Sequence, residues 1–250
     1  MDFSINVATG WPRARVAVRR GTLAFLVAFL ALAGTAIAGS RQLGIPATFE
    51  GGTTTQFDSI SVANGSFRAD HSRAASGSWS GKAVYGGGGA NGYARGHLKV
   101  NWSAGDTVRY AELVYLPKGF YMALQGQCVL MRADNWDVYP NDADRVGIGI
   151  YRSDHKGHLF WLNESEGISH EVGPAFTIPA GRWNRIVVEQ RLGTGTSATS
   201  RVYLNGNLVV STTGQNFPGR PMDKIRYGIV AIGAGIQTNP LTLWIDNARR

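Results

Sequence analysis

The chain has 250 residues, of which 44% are hydrophobic and 17% are charged, and 33 of its residues are glycine. This length and apolar fraction suffice for the core of one β-sandwich, so a second full domain is not required. The formal net charge is +8, but lysine and arginine form no dense block, so a nucleic-acid partner is not expected. The single cysteine, Cys128, excludes an intramolecular disulfide framework, and its apolar neighbours favour a buried, inert thiol.

The first forty residues have the order of an export signal. Four arginines between residues 13 and 20 precede an apolar run at residues 23–33, and small residues follow up to Ala38. This order predicts a cleavable signal peptide at residues 1–38 and a secreted, extracellular protein. The alternative is an uncleaved anchor facing outside, since residues 21–38 are uncharged over about the length that crosses a membrane. The pattern leaves Sec and twin-arginine export both open.

A short spacer at residues 39–46 and one all-β domain at residues 47–250 are expected after the signal. No long stretch of this domain has helical periodicity, whereas several segments are rich in β-branched and aromatic residues and are bounded by turn residues. In chain order, the clearest predicted strands are residues 107–115, 145–151, 159–162, 185–189, 225–230 and 241–246.

Two turns punctuate the predicted strands. Asn205 and Gly206 both accept positive φ, so this pair predicts a type I′ hairpin. Residues 154–157 predict a second turn between neighbouring strands. About a dozen short strands exceed what one flat sheet holds, so the sequence predicts a sandwich of two antiparallel sheets.

Five segments carry a pattern that is typical of one superfamily. Residues 181–188 contain a G-x-W strand, residues 202–209 a hairpin and residues 243–247 a closing segment, while residues 49–51 and 127–135 match a first and a central strand. Together they resemble the concanavalin A-like lectin/glucanase superfamily, particularly laminin-G-like jelly rolls and jelly-roll polysaccharide lyases. The resemblance implies a jelly roll with a bias toward glycans, but this scaffold hosts lectins, hydrolases, lyases and adhesion modules.

Polysaccharide binding is the function that this resemblance favours, and the positive net charge also suits an acidic glycan. Most aromatic side chains are expected in the core, but Trp136 and Tyr139 lie in a polar loop at residues 134–142, where burial is less favoured. We expect these two rings to bind sugar, together with Glu112 and Gln125.

A polysaccharide lyase is the first alternative. Removing the proton beside a uronate carboxylate requires a cation that neutralises the carboxylate and a base, often His or Tyr. The resemblance to jelly-roll alginate lyases implies these roles for Arg109, Gln127, Arg132 and Tyr227. Val129 occupies the position where that pattern has a histidine, which argues against lyase chemistry.

Strand parity limits which of these residues share a face. Arg109 and Glu112 are three positions apart, so they point to opposite faces of their strand. We therefore expect one of them on the concave sheet, together with Gln127 and Tyr227. His97 is isolated in the sequence and is expected to be structural or exposed.

Two further functions complete the alternatives. A glycoside hydrolase is disfavoured because Glu164 and Glu166 lack the intervening Asp and the final Glu of the E-x-D-x-x-E pattern. A structural or adhesion module of laminin-G type without glycan affinity stays open. Domains that resemble this chain often bind a structural calcium ion between their first and last strands, which predicts Glu50 and Asp246 as ligands.

Overall fold

The structure is a computed structural model, and it describes residues 46–88, 92–135, 143–163, 168–232 and 237–250. These residues form fourteen β-strands and one short α-helix. The strands are β1 (Ser59–Ala63), β2 (Gly65–Asp70), β3 (Ser80–Tyr85), β4 (Tyr93–Trp102), β5 (Thr107–Tyr115), β6 (Gln127–Asp134), β7 (Asp144–Tyr151), β8 (Gly157–Asn163), β9 (Ile168–Glu171), β10 (Trp183–Arg191), β11 (Thr199–Leu204), β12 (Asn207–Thr213), β13 (Met222–Ile232) and β14 (Leu241–Arg249), and the helix is α1 (Phe120–Ala123).

Several sequence predictions fall outside the described residues. They are the signal segment at 1–38, the spacer up to residue 45, Trp136, Tyr139, and the two glutamates within 164–166. Across the described ranges, no helix is long and apolar enough to cross a membrane.

The strands form two antiparallel sheets of seven strands each, which confirms the predicted all-β sandwich. The first sheet has the strand order β1-β4-β13-β6-β7-β8-β9, and the second has the order β12-β11-β10-β5-β14-β3-β2. An isolated antiparallel bridge between Ala47 and Ala248 joins the two ends of the domain. The expected first strand at residues 49–51 is wrong, because Phe49 has a φ of 64° and its carbonyl accepts a turn hydrogen bond from the Gly52 N–H.

Local sequence chemistry explains the hairpins. Asn205 and Gly206 have φ values of 53° and 86°, so the β11–β12 connection has the two positive φ angles of the predicted type I′ turn. His155 also has a positive φ, 56°, in the predicted turn between β7 and β8. The strand predicted at residues 107–115 coincides with β5.

The core lies between the two sheets and is rich in aromatic residues. Phe49, Phe57 and Phe67 pack with ring centroids 5.5 to 6.1 Å apart. Cys128 is fully buried beside them in the same cluster, and burial raises the pKa of its thiol. This setting confirms the predicted inert thiol, because the reactive thiolate is disfavoured.

Candidate functional site

The candidate site lies on the face of the first sheet that points away from the second sheet. Along β4, Ala94 and Leu98 belong to the core between the sheets. Arg95 and His97 alternate with them and therefore point outward. Even so, Arg95 is only 8% exposed and His97 only 6%. Charged and polar side chains are rarely buried unless they are paired, so this face differs from an ordinary solvated sheet surface.

The neighbouring strands bring further buried charges to the same face. On β13, Ile225 lies in the core and Arg226 next to it points outward, with 1% exposure. On β6, Ala133 lies in the core, and Arg132 and Asp134 on either side of it point outward, with 6% and 0% exposure. Three adjacent strands thus present buried ionisable groups on one surface.

Strand register aligns these groups into a row. Ser59 of β1 pairs with His97, His97 pairs with Arg226, and Arg226 pairs with Arg132. Arg132 in turn pairs with Gly147 of β7. We call these five residues the polar row. Because neighbouring strands lie about 4.8 Å apart, an imidazole and two guanidiniums lie side by side on adjacent strands.

Asp134 supplies the counter-charge for both arginines of the polar row. Its Oδ2 lies 2.9 Å from Nε of Arg132, and its Oδ1 lies 2.6 Å from Nη2 of Arg226. Burial lowers the pKa of Arg132 to about 10, against the opposing effect of the Asp134 carboxylate, so the guanidinium stays charged at neutral pH. A carboxylate shared by two guanidiniums allows all three groups to stay ionised while buried.

Arg95 has a different environment. It donates to the Ser61 hydroxyl at 3.0 Å and to the Val230 carbonyl at 2.6 Å, and its guanidinium carbon lies 4.0 Å from the ring centroid of Tyr93. Burial, followed by the nearby positive charge of Arg226, lowers the pKa of Arg95 to about 9. Arg95 is therefore cationic at neutral pH, with neutral oxygens as its hydrogen-bond partners.

His97 is held between two serines. The Ser59 hydroxyl lies 3.1 Å from its Nδ1 and the Ser61 hydroxyl lies 2.8 Å from its Nε2. Burial, followed by the positive charges of Arg226 and Arg95, lowers the pKa of His97 to about 3. The imidazole is neutral at ordinary pH, so one ring nitrogen carries a proton and the other accepts. Of the two expected environments for His97, structural or exposed, the structure shows the buried, hydrogen-bonded one.

Cations outnumber carboxylates on this surface. Lys224 of β13 pairs in register with Asp134, and Asp134 pairs with Arg145 of β7. Asp223 lies beside them, and burial followed by the charge of Asp134 raises its pKa. The cationic face, as we define it, consists of Arg95, Arg132, Arg145, Lys224 and Arg226. Among the described residues, these five cations lie around Asp134 and Asp223, so this part of the surface suits an anionic ligand.

An apolar strip adjoins the charged groups. Val129, Phe160 and Val230 form a small buried cluster separate from the main core. A Cβ at Gly149 would lie 3.0 Å from Nε2 of Gln127 and 3.6 Å from the Phe160 ring. Glycine at this position therefore leaves the middle of the face without a side chain. Val129 packs in this strip, and His97 brings an imidazole to the face from β4 instead.

The structure brings together only some of the residues that the sequence predicted. Gln127 and Arg132 both lie on β6 and point to this face. The expectation that Arg109 joins them is wrong, because β5 belongs to the second sheet. There Nε of Arg109 pairs with Oε1 of Glu189 at 2.9 Å.

Glu112 and Tyr227 are also misplaced in the prediction, because both point into the core. Glu112 does lie on the opposite face of β5 from Arg109, as parity predicts, but that face is the interior, where Glu112 is 1% exposed. Burial raises its pKa well above the ordinary value. Tyr227 is fully buried and donates its hydroxyl to the Arg249 carbonyl. Its neighbour Arg226 points outward, so Tyr227 must point inward.

Gln125 has a structural role instead of the predicted binding role. Its side-chain oxygen accepts hydrogen bonds from the Thr238 N–H at 2.6 Å, the Thr238 hydroxyl at 3.0 Å and the Asn239 N–H at 3.1 Å. Its own N–H donates to the side-chain oxygen of Gln237 at 2.8 Å. Gln125 therefore connects its own segment to residues 237–239 through hydrogen bonds, and its side-chain oxygen already accepts three of them.

The predicted metal ligands meet at one loop. Oε2 of Glu50 accepts a hydrogen bond from the Ser78 N–H at 2.9 Å, and Oδ2 of Asp246 accepts one from the Ser76 N–H at 3.2 Å. Burial raises the pKa of Asp246, and the negative charge of Glu50 raises it further. The two carboxylates therefore lie near each other, and a cation between them would relieve their repulsion. In the described part of the chain, no cluster of three or more His, Cys, Asp or Glu residues suits a metal, so backbone carbonyls or water would complete the coordination.

Comparison with solved structures identifies the fold. The chain is similar to an endo-β-1,4-glucuronan lyase from the fungus Trichoderma reesei, with a TM-score of 0.64 and 13% identity over 79% of this chain and 92% of that one. It is similar to the cellulose-induced protein Cip1, with a TM-score of 0.55 and 19% identity over 82% and 95% of the two chains. It is also similar to the alginate lyase vAL-1 from Chlorella virus, with a TM-score of 0.54 and 12% identity over 84% and 98%.

No family model matches the chain, and no curated protein matches it. The structural similarities, at these low identities, show the fold. The chain has a jelly-roll fold, which confirms the fold that the sequence resemblance implied.

Proposed function

We propose that the chain binds an acidic polysaccharide on the outward face of its first sheet. The cationic face is the observation that carries this proposal, since its five cations lie on one surface around Asp134 and Asp223. Arg95 bonds to neutral oxygens within the described residues, so it can still take an anionic partner. A uronate carboxylate matches a guanidinium in charge and in shape.

The rest of the face suits a sugar chain. Gln127 and the polar row offer hydrogen-bond partners for hydroxyl groups, and Phe160 and Val129 offer an apolar surface for sugar C–H groups. Two of the similar solved structures are named as lyases of glucuronan and alginate, which are acidic glycans. That likeness supports an acidic glycan as the ligand. The predicted contacts of Trp136 and Tyr139 remain part of the proposal.

Cleavage of the bound glycan is the second candidate, and His97 is the observation that favours it. A neutral imidazole lies beside Arg226 in the polar row. In a lyase reaction, Arg226 would neutralise the uronate carboxylate while His97 accepts the proton from the adjacent carbon. The C–H electron pair would form the new C=C bond, the C–O bond to the leaving sugar would break, and the leaving oxygen would take a proton from water. A bound carboxylate would also offset the positive charges of Arg226 and Arg95, which add to burial in lowering the pKa of His97.

A pair of charge-neutralising variants tests the binding proposal. Lys224→Met removes one half-buried cation from the cationic face, and Arg109→Met removes one half-buried cation from the second sheet. We expect Lys224→Met to weaken binding of a uronic-acid polymer about tenfold, or about 1.4 kcal/mol, in titration calorimetry. Arg109→Met should leave the affinity unchanged. Equal affinities for the two variants would contradict the proposal.

A cleavage assay separates binding from catalysis. The wild-type protein is incubated with uronic-acid polymers, and the absorbance of unsaturated products is followed. If the chain is a lyase, products accumulate, and His97→Gln abolishes them while binding persists. If no product forms but the polymer binds, the function is binding alone. If neither is observed, the structural or adhesion module is correct.

We also propose that Glu50 and Asp246 hold a structural calcium ion. The ion would place positive charge between two carboxylates that bind the same loop, residues 75–79. It would thereby connect the two ends of the domain.

Export is likewise proposed, on the basis of the basic, apolar and small-residue order in residues 13–38. N-terminal sequencing of the secreted protein should begin at Gly39 or within a few residues of it. Secreted material that begins at Met1 would contradict cleavage, and intact chain in the membrane fraction would favour the anchor.

A further inference from the structure

The outward face of the second sheet carries a second row of side chains. Trp183 of β10 pairs with Tyr115 of β5, and Tyr115 pairs with Trp244 of β14. Trp244 pairs with Lys82 of β3, and Lys82 pairs with Arg68 of β2. Five neighbouring strands thus align three aromatic rings and two cations. We call these five residues the aromatic row.

The alternation along each strand shows that the aromatic row points away from the core, although Trp244 itself is only 9% exposed. Leu243 and Ile245 lie in the core on either side of Trp244, and Val114 lies in the core next to Tyr115. Tyr115, Trp183 and Lys82 are half-buried, and Arg68 is exposed. The row therefore lies on the opposite side of the sandwich from the cationic face.

Ring contacts hold the aromatic row in a fixed arrangement. The Tyr115 centroid lies 5.7 Å from that of Trp183 and 5.9 Å from that of Trp244, both in edge-to-face geometry. The indole N–H of Trp244 donates to Asp70 at 3.2 Å. Rigid aromatic side chains lose little conformational entropy when a ligand binds, so this surface is organised in advance.

Two cationic side chains lie over rings of the aromatic row. The guanidinium carbon of Arg73 lies 4.0 Å from the Tyr115 centroid and 5.0 Å from the Trp244 ring, and Nζ of Lys82 lies 5.2 Å from the Trp244 ring. Nε of Arg73 is buried and has no hydrogen-bond partner among the described residues. The guanidinium of Arg73 is therefore placed mainly by its ring contacts.

Sheet stabilisation alone leaves part of this arrangement unexplained. Cross-strand aromatic pairs do stabilise sheets. They do not account for the three cations Arg68, Arg73 and Lys82, nor for the position of Arg73 and Lys82 over the ring faces. Both features match a ligand that combines apolar ring faces with negative charge.

We propose that the aromatic row is a second binding site, which takes an acidic oligosaccharide. Sugar C–H faces stack on Trp183 and Tyr115, and uronate carboxylates pair with Arg73, Lys82 and Arg68. This site and the cationic face consist of different residues, so an experiment can disprove one of the two binding sites without disproving the other. With a site on each side of the sandwich, one protein joins two polysaccharide chains, and long polymers bind more tightly than short ones.

Titration calorimetry with a short uronic-acid oligosaccharide tests the second site. We expect the wild type to bind one oligosaccharide on each face. Trp183→Ala should lower the affinity of one site about tenfold. The matched control is Tyr203→Ala, which removes a half-buried aromatic from the same outward face but outside the row, and it should leave both sites intact. If Trp183→Ala does not fold, Arg68→Ser tests the same site, because Arg68 is exposed.

The outcomes separate the two sites. The wild type could bind only one oligosaccharide, with binding lost in Lys224→Met but kept in Trp183→Ala and Arg68→Ser. That result would overturn the second site and preserve the proposed function. If the one binding site is instead lost in Trp183→Ala or Arg68→Ser and kept in Lys224→Met, the aromatic row is the binding site and the proposed function of the cationic face is wrong. Sedimentation that shows a dimer broken by Trp183→Ala, with no effect on oligosaccharide binding, would mean that a second copy of the chain occupies the row and would overturn the proposal.

Discussion

Glu112 and Asp134 are both removed from solvent, with 1% and 0% exposure, yet their surroundings are opposite. Asp134 lies on the outward face of the first sheet and contacts the guanidiniums of Arg132 and Arg226. Glu112 lies between the sheets, and neither of its carboxylate oxygens has a hydrogen-bond partner among the described residues. Both carboxylates are buried, so the presence or absence of guanidinium partners, and not burial itself, determines whether such a carboxylate stays charged.

The two carboxylates also differ in what they contribute to an anion-binding surface. Because Asp134 offsets two arginines, it holds them in place while the cationic face as a whole stays positive. Glu112 contacts no cation in this way, and burial raises its pKa. A protonated carboxyl in the interior contributes nothing to an anion-binding surface, although the sequence had indicated Glu112 as a binding residue.

The largest effect is expected from removing the shared counter-charge. Asp134→Ala leaves two buried guanidiniums without their carboxylate, so the free energy of unfolding should fall by about 3–5 kcal/mol. Denaturant unfolding measures this loss. The control is Asp58→Ala, which removes an exposed partner of Arg250 at 3.4 Å and should cost less than about 1 kcal/mol. Similar losses in the two variants would mean that Asp134 is not a buried ion-pair partner.

Calcium removal should give the next largest effect. Glu50 and Asp246 carry negative charge to the same loop, and a cation that binds only the native state stabilises it by about 2.7 kcal/mol at a hundred times its Kd. A chelator should therefore lower the melting temperature of the wild type. Glu50→Gln should remove the response to the chelator. An unchanged melting temperature on chelation would exclude the calcium site.

A smaller gain in stability is expected from Glu112→Leu. The leucine replaces an unsatisfied carboxyl with an apolar group, so the free energy of unfolding at neutral pH should rise by about 1–3 kcal/mol. Denaturant unfolding of Glu112→Leu and wild type at several pH values provides the measurement.

The stability difference between Glu112→Leu and the wild type should change with pH in a direction set by the raised pKa of Glu112. The folded pKa of Glu112 is raised above the ordinary value of 4.5, so the unfolded chain ionises first as pH rises. The wild type therefore loses stability above about pH 4.5, up to the folded pKa, and the advantage of Glu112→Leu should grow over the same interval. An advantage that is constant with pH would show that Glu112 is ionised in the fold.

The sequence predicted local structure well because local chemistry determines it. β-branched and aromatic composition predicted the strand that became β5, and the positive-φ preference of Asn205 and Gly206 predicted the hairpin. Tyr227 was assigned to the wrong face although a local signal existed. Ile225, Tyr227 and Ile229 alternate with Arg226, and this alternation indicates that Tyr227 points inward.

The composition of the site depends on pairing between distant strands, which alternation within one strand does not reveal. His97 and Arg132 are 35 positions apart, and they become neighbours only because β13 pairs with both of their strands. Arg109 has the same residue type as Arg132, but β5 belongs to the other sheet. The alternation of Arg95, His97 and Lys99 along β4, like that of Arg132 and Asp134 along β6, was a local signal for this face, but it does not specify which strands become neighbours.

On the proposed function, the cationic face recognises the negative charge of a polysaccharide. The most direct measurement compares the affinity of the wild-type protein for a uronic-acid polymer with its affinity for the same polymer after its carboxylates have been reduced to alcohols. The clustered positive charge of the cationic face predicts binding to the acidic polymer that weakens as salt is added, and little binding to the reduced one. Equal affinity for the two polymers, independent of salt, would contradict the account.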